Sequence, residues 1–259
     1  MTPDLPQVER ANIEFTNQFR RQSDLGELRR NRTLDQAALA YAQYLARTGK
    51  FSHTADGRRP AERTLAVGYR HCRVSENLAL NFDSRGFRAQ TLATGAIEGW
   101  KKSPPHRKAM LDPHVIEIGV GVARAADEHR YLSVQLFGRP RELQYQFKIR
   151  NTSRQTIRYT YGSERHVLSG RTEVQHTSCN PATLALDGVR AARTANSPLK
   201  AAFQTRDGDT FLIRTGAGGA LVVEHRPRVD SGAFPSAEIK PGARRGPGGR
   251  RSGAGPRAS

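Results

Sequence analysis

One stretch of sequence decides the fold: residues 100–122, which read WKKSPPHRKAMLDPHVIEIGVGV. It begins at the end of a predicted helix, residues 87–102, whose apolar side chains recur every four positions. Pro104-Pro105 ends that helix, because proline lacks the N–H that helical hydrogen bonding requires. From residue 116 to residue 122 the apolar residues alternate instead, which is typical of a strand. The chain therefore changes from helical to extended within this stretch.

The flanking segments extend the same pattern. Apolar residues at helical spacing predict a helix from Val8 to Phe19 and another from Thr33 to Gly49. In the second helix Thr33 is the predicted N-cap, with Gln36 reaching back in a capping box. Three further predictions complete this part of the chain: a short helix over residues 60–65, a strand over residues 74–80, and a hairpin joining residues 116–122 to residues 131–137.

The composition changes after residue 139. Residues 140–225 contain short β-like runs separated by turn-forming pairs such as Asp207-Gly208, which predicts a small all-β domain. Residues 226–259 are rich in Gly, Pro, Arg and Ser and predict a disordered basic tail, because so few apolar side chains cannot offset the entropy of ordering. Together these patterns predict an α+β fold over residues 5–139, followed by the β-rich domain and the tail.

The chain is strongly basic, with a formal net charge of +18 over 259 residues. A basic surface favours anionic partners such as nucleic acid, acidic lipid or acidic cell-wall polymer, although an arginine-rich composition also follows from a GC-rich genome. The tail alone has eight Lys and Arg against two Asp and Glu, a net charge of +6. Binding of nucleic acid through this tail is disfavoured, because Phe234 is its only aromatic residue.

Compartment and cofactor signals are sparse. No run approaches the roughly 20 apolar residues of a membrane span, and Met1 to Glu9 lack the features of a signal peptide. The lack of a signal peptide is expected if the protein is cytoplasmic, and also if the true start of the chain lies upstream of Met1. Cys72 and Cys179 could pair across two domains in an oxidising compartment, or could be two unrelated buried thiols. No phosphate loop or nucleophile elbow is found, so no organic cofactor is predicted.

Three residues are candidates for chemistry. His53 follows the glycine that ends the second helix, and Glu76 lies between apolar neighbours in the predicted strand. His106 follows Pro104-Pro105 near the start of a short turn. Spacing alone does not distinguish a shared site from separately hydrogen-bonded residues.

The motifs around these residues carry a resemblance. In order, they are FSHT at residues 51–54, SENLA at residues 75–79, WKKSPPHR at residues 100–107 and EIGVGV at residues 117–122, with Gly68-Tyr69 ahead of the second. In this order and spacing, residues 5–139 resemble bacterial members of the CAP superfamily, which includes cysteine-rich secretory proteins, venom antigens and plant pathogenesis-related proteins.

The resemblance implies a three-layer α-β-α sandwich whose cleft is lined by two histidines and two acidic residues. By motif match, His53, Glu76 and His106 are three of the four, and Ser103 stands where an acidic residue is usual. The two imidazoles could bind Zn²⁺ or another divalent cation, less tightly than a full set of four ligands would.

Two functions are implied for such a cleft. The favoured one is a secreted or periplasmic protein that binds a metal ion and a small or lipidic ligand, or a component of the cell envelope, without catalysis. The alternative is a metal-assisted hydrolase, acting on peptides or esters, in which Glu76 is the candidate base on a His-bound water. Under the favoured function Glu76 orients an imidazole.

Overall fold

The computed structural model describes residues 2–126, 129–192 and 200–228. The elements up to residue 140 are α1 (Leu5–Gln22), β1 (Arg29–Arg30), α2 (Arg32–Thr48), α3 (Pro60–Ala66), β2 (His71–Phe82), α4 (Ala89–Lys102), α5 (Pro104–Met110), β3 (Glu117–Arg124) and β4 (Arg130–Pro140). The strands form one sheet in the order β1-β3-β4-β2, in which β4 is antiparallel to both of its neighbours.

Helices cover both faces of this sheet. On one face α1 packs on β3 and α4 packs on β2, in a cluster that includes Val8, Trp100 and Val120. On the other face α2 packs on β4, in a cluster that includes Tyr41 and Val134. The prediction of an α+β fold with an α-β-α sandwich is confirmed, because the helical and alternating apolar patterns are buried as their periods require.

The contact between α2 and β3 depends on two glycines. A Cβ built on Gly121 would lie 2.1 Å from the backbone nitrogen of Leu39, and one built on Gly119 would lie 2.3 Å from the backbone carbon of Leu34. Any side chain at these positions would overlap the helix backbone. The Gly-Val-Gly alternation therefore presents a bare strip of sheet on which α2 lies, while Val120 points to the opposite core.

The start of α2 differs from the prediction. The N-cap is Asn31, whose Oδ1 accepts hydrogen bonds from the backbone N–H groups of Thr33 and Leu34. Thr33 was predicted as the cap and instead lies inside the helix. Both residue types are good caps, and the choice is made by the short strand β1, which holds Asn31 in extended backbone. The predicted left-handed end at Gly49 is observed.

The second sheet follows a short connection. Its strands are β5 (Tyr145–Asn151), β6 (Ile157–Tyr161), β7 (Glu164–Leu168), β8 (Thr172–Ser178), β9 (Thr183–Asp187), β10 (Val189–Ala191), β11 (Lys200–Gln204), β12 (Thr210–Thr215) and β13 (Leu221–Arg226), with 3₁₀ turns at Arg141–Leu143 and Ala217–Gly219. Their order is β7-β6-β9-β11-β10-β13-β12-β5-β8. The rings of His166 on β7 and His176 on β8 are 5.2 Å apart, so the sheet is rolled until its first and last strands approach each other.

A disulfide joins the two sheets. Cys72 at the start of β2 is bonded to Cys179 just after β8, with 5.6 Å between their Cα atoms. In the structure the two cysteines form a disulfide and are not two unrelated buried thiols. The described residues up to Arg228 form one compact unit, so the division into domains at residue 139 stays a prediction. The predicted disordered tail lies outside the described residues from residue 229 onward.

We predict opposite effects of alanine at two glycines. Gly121→Ala should lower the free energy of unfolding by about 3 kcal/mol, the upper end of the usual cost of overpacking, because its methyl group meets helix backbone that cannot rotate away. Gly99→Ala should raise it by about 0.5–1 kcal/mol, because Gly99 lies in α4 with open space around it and alanine is the better helix former. Urea denaturation followed by circular dichroism measures both. Equal stability of the two variants would contradict the proposed contact.

Candidate functional site

The three candidate residues come from three different elements. His53 lies in the loop between α2 and α3, Glu76 on β2 and His106 on α5. The His53 side chain is 50% exposed, whereas that of Glu76 is 1% exposed. The structure thus has one accessible imidazole next to a buried carboxylate.

Glu76 is held between a histidine and an arginine. Its Oε1 is 2.8 Å from Nδ1 of His53, and its Oε2 accepts a hydrogen bond of 2.6 Å from Nη2 of Arg63. The Arg63 side chain is only 7% exposed, so this ion pair is buried. Removal of a carboxylate from water is costly unless its charge is compensated, and Arg63 supplies that compensation.

Arg63 organises the loop as well as the glutamate. Its Nη1 donates to the backbone carbonyls of His53 (3.1 Å) and Arg58 (2.7 Å) and to Oδ1 of Asp56 (3.0 Å). Its guanidinium carbon lies 3.4 Å from the centre of the Tyr41 ring, a cation–π arrangement. One buried arginine therefore links α2, the loop and β2.

Two tyrosines of α2 fix the same loop. The hydroxyl of Tyr41 donates to the carbonyl of Ser52 and accepts from the N–H of Ala55. The hydroxyl of Tyr44 donates to the carbonyl of Ala55 at 2.9 Å. His53 lies between these anchored residues, so its backbone position is set by the helix.

His106 is positioned through its backbone. Its carbonyl accepts a hydrogen bond of 3.2 Å from Nδ2 of Asn77, and the same amide nitrogen donates to Gln135 in the core. Burial, followed by the electrostatic effect of His53, lowers the pKa of the His106 imidazole. A lowered pKa keeps His106 neutral at pH 7.

Ser103 lies three residues before His106, where α4 ends and α5 begins. Its carbonyl accepts from the N–H of Arg107 at 2.8 Å, while its side chain makes no cap hydrogen bond. Ser103 is half-buried. It is therefore adjacent to His106 along the chain, but no hydrogen bond joins its hydroxyl to His53, Glu76 or His106.

The arrangement determines which atoms are available for binding. When Nδ1 of a neutral His53 donates to Glu76, the lone pair is on Nε2, where it can bind a cation or accept a hydrogen bond. Both oxygens of Glu76 are already used. The accessible chemistry of the cleft is thus that of imidazole, with the carboxylate behind it.

A comparison with models of protein families matches the first part of the chain. Residues 13–137 match the CAP family model, which describes the cysteine-rich secretory protein family. These residues form a CAP domain. All three candidate residues, and Arg63 with them, lie within the matched region.

Solved structures similar to the chain include several from bacteria. An outer surface protein from Borrelia burgdorferi is 22% identical, with a TM-score of 0.44. The match covers 50% of this chain and 90% of the Borrelia protein. An extracellular protein containing an SCP domain from Bacillus anthracis is 20% identical, with a TM-score of 0.43. The match covers 52% of this chain and 41% of the Bacillus protein. A cysteine-rich secretory protein from Staphylococcus aureus is 20% identical, with a TM-score of 0.37. The match covers 51% of this chain and 39% of the Staphylococcus protein.

The match therefore spans less than half of the Bacillus and Staphylococcus proteins. A search of curated protein sequences gave no match.

Sequence reasoning missed Arg63 in the CAP domain. The available signal was weak: Arg63 and Thr64 occupy the inward face of α3, where apolar residues are usual. An arginine at such a position implies a buried acidic partner, since unpaired charges are rarely buried. Only the structure identifies that partner as Glu76, 13 positions later.

We predict that Arg63→Met strongly destabilises the CAP domain. The free energy of unfolding should fall by about 3–5 kcal/mol, because Glu76 is left buried without its partner. Arg59→Met is the matched control: its ion pair with Glu62 is exposed, so the change should be below about 1 kcal/mol. Thermal and urea melts measure both, and similar small losses would show that the ion pair is not required.

A second prediction concerns the proximity of the imidazoles in the CAP domain. His53→Gln should raise the pKa of His106, because one of the two causes that lower it is removed. The control is His114→Gln, a histidine outside the cleft motifs, which should leave that pKa unchanged. Titration of the histidine ring protons by NMR gives the values. An unchanged His106 pKa in the His53 variant would place the two rings in separate environments.

Proposed function

We propose that this protein is an extracytoplasmic CAP-domain protein whose cleft binds a divalent metal ion and a small or lipidic ligand without catalysis. One observation carries the proposal: the buried Arg63–Glu76 pair holds the carboxylate behind His53. The imidazoles of His53 and His106 are then the groups offered to a ligand.

The residues fit a weakly held metal ion. Neutral imidazole is a common ligand of Zn²⁺, and a carboxylate that accepts a hydrogen bond from the other ring nitrogen is the usual support behind it. His53 and Glu76 have this relation. In the described part of the chain no three His, Cys, Asp or Glu side chains are grouped as metal ligands. His53 and His106 would therefore hold the ion together with oxygen atoms from water or from a ligand.

The same geometry favours binding over hydrolysis. A general base must be free to take a proton from water. Glu76 instead accepts from both His53 and Arg63, and its side chain is 1% exposed. The hydrolase alternative has no comparable support from the arrangement.

Space and apolar surface next to the network support a small or lipidic ligand. A cavity of about 250 Å³ lies beside the network on the α2 and α3 side; Tyr41, Tyr44 and Arg63 line it, whereas His53 and His106 do not. Phe51, two residues before His53, and Leu65 on α3 are 48% and 54% exposed. Exposed large apolar side chains close to a polar site are typical of ligand-binding surfaces.

The extracytoplasmic location is supported by the disulfide. Disulfides form and persist in oxidising compartments and are rare in the cytosol. No helix among the described residues has the length and apolarity needed to cross a membrane. A component of the cell envelope is accordingly included among the partners that we propose.

Metal uptake tests the proposal directly. Wild-type protein without an affinity tag should bind Zn²⁺ in calorimetry, and His53→Ala/His106→Ala should lose that uptake because both donors are removed. His114→Ala should bind as wild type does. Uptake that persists in the double variant would exclude the cleft as the metal site.

The non-catalytic role has its own test. With Zn²⁺ supplied, a panel of peptides and esters should show no turnover. Turnover that Glu76→Gln abolishes would replace the binding role with the hydrolase alternative.

A further inference from the structure

A second group of charged residues lies on the outer face of the rolled sheet, far along the chain from the cleft. Arg158 on β6 is paired with Val167 on β7 and with Asp187 on β9, and Asp187 is paired with Lys200 on β11. Side chains that are paired in this way share one face of a sheet. They line a cavity of about 480 Å³ together with Arg165. We call this the basic cavity.

The charges in the basic cavity do not balance. Arg158, Arg165 and Lys200 carry three positive charges, against the single negative charge of Asp187. Asp187 is already 3.4 Å from the Lys200 ammonium group. Among the described residues neither Arg158 nor Arg165 makes an ion pair or a side-chain hydrogen bond. Two positive charges are thus left without a partner in the part of the protein that the structure describes.

The two arginines are held close to each other. Arg165 is paired with Thr160, two positions beyond Arg158, so the arginines are diagonal neighbours on adjacent strands, whose Cα atoms are typically about 7–8 Å apart. Like charges on neighbouring strands repel, and a bound anion between them would relieve that repulsion. Arginine side chains that start from positions this close are long enough for both guanidinium groups to reach one tetrahedral oxyanion.

Small side chains leave room for such a ligand. Thr160 is paired with Ala185 on β9, and Ala185 is paired with Ala202 on β11. A row of small residues therefore crosses three strands beside the charged row. The basic cavity is a shallow depression with cations at its sides, and it is not filled by longer side chains.

We propose that the basic cavity binds a phosphate group, through Arg158 and Arg165 with Lys200 at the opposite side. Phosphate suits this site better than a single carboxylate, because its charge of nearly −2 matches the two unbalanced positive charges and its oxygens accept from both guanidinium forks. The group belongs to a free phosphate compound or to a lipid headgroup. This inference is independent of the cleft, and failure of the metal proposal would leave it intact.

Titration with inorganic phosphate at low ionic strength tests the site. Wild-type protein should show saturable binding by calorimetry, and Arg158→Gln/Arg165→Gln should bind about tenfold more weakly or worse, since charge-assisted hydrogen bonds are lost. Arg214→Gln is the control, an exposed arginine on β12 of the same sheet that does not line the basic cavity. It should change the affinity by less than about twofold, because exposed charges at a distance are largely screened. Circular dichroism melts check that each variant is folded.

Vesicles distinguish the source of the phosphate. Co-sedimentation uses phosphatidylcholine vesicles with and without phosphatidic acid, whose headgroup is a phosphate monoester. Binding to the anionic vesicles alone, lost in the double variant, supports a lipid headgroup, whereas binding of inorganic phosphate supports a free compound. Absence of binding to both probes, or binding that the double variant retains, overturns the proposal.

Discussion

The close approach of α2 to β3 is the constraint on which the rest of the CAP domain depends. Because Gly119 and Gly121 have no side chains, the helix backbone lies directly on the sheet. That position places Tyr41 and Tyr44 over the following loop, which their hydroxyls hold on both sides of His53. A bulkier residue on this strip of β3 would displace the helix, and the loop of the cleft would move with it.

Burial of charge is the second determinant of the site. A glutamate on a covered strand is tolerated because Arg63 neutralises it, and Arg63 in turn donates to carbonyls of the loop and lies over the ring of Tyr41. Local structure and electrostatics are therefore coupled here. The same contacts that compensate the buried carboxylate also restrain the loop that carries His53, so the position of His53 is set by contacts within the protein.

Much of the first sheet and its helices follows from the sequence, because apolar residues that recur every 3.6 positions in a helix or every 2 in a strand indicate which face is buried. The motifs also indicate His53, Glu76 and His106, since they lie in short local segments. Arg63 could not be predicted, because its pairing with Glu76 depends on how α3 packs on β2. The choice of Asn31 over Thr33 as a helix cap likewise depends on β1, which pairs with β3 nearly 90 positions away.

The second sheet was predicted only as a β-rich region. The apolar alternation in such short strands is too weak to predict which strands pair. For example, β10 pairs in parallel with β11 and β13, and not with β9, the strand that precedes it in the chain. Such pairings are set by the whole chain.

The disulfide has a consequence for the strand that carries Glu76. Cys72 lies at an irregularity in the pairing of β2 with β4, four positions before the glutamate, and its partner is 107 positions away. A slip of one position along β4 would turn every side chain of β2 to the opposite face. The covalent bond opposes that slip from outside the sheet. Cleavage of the backbone between the two cysteines would also leave both fragments attached, so a nicked chain would migrate as a single species until a thiol reductant is added.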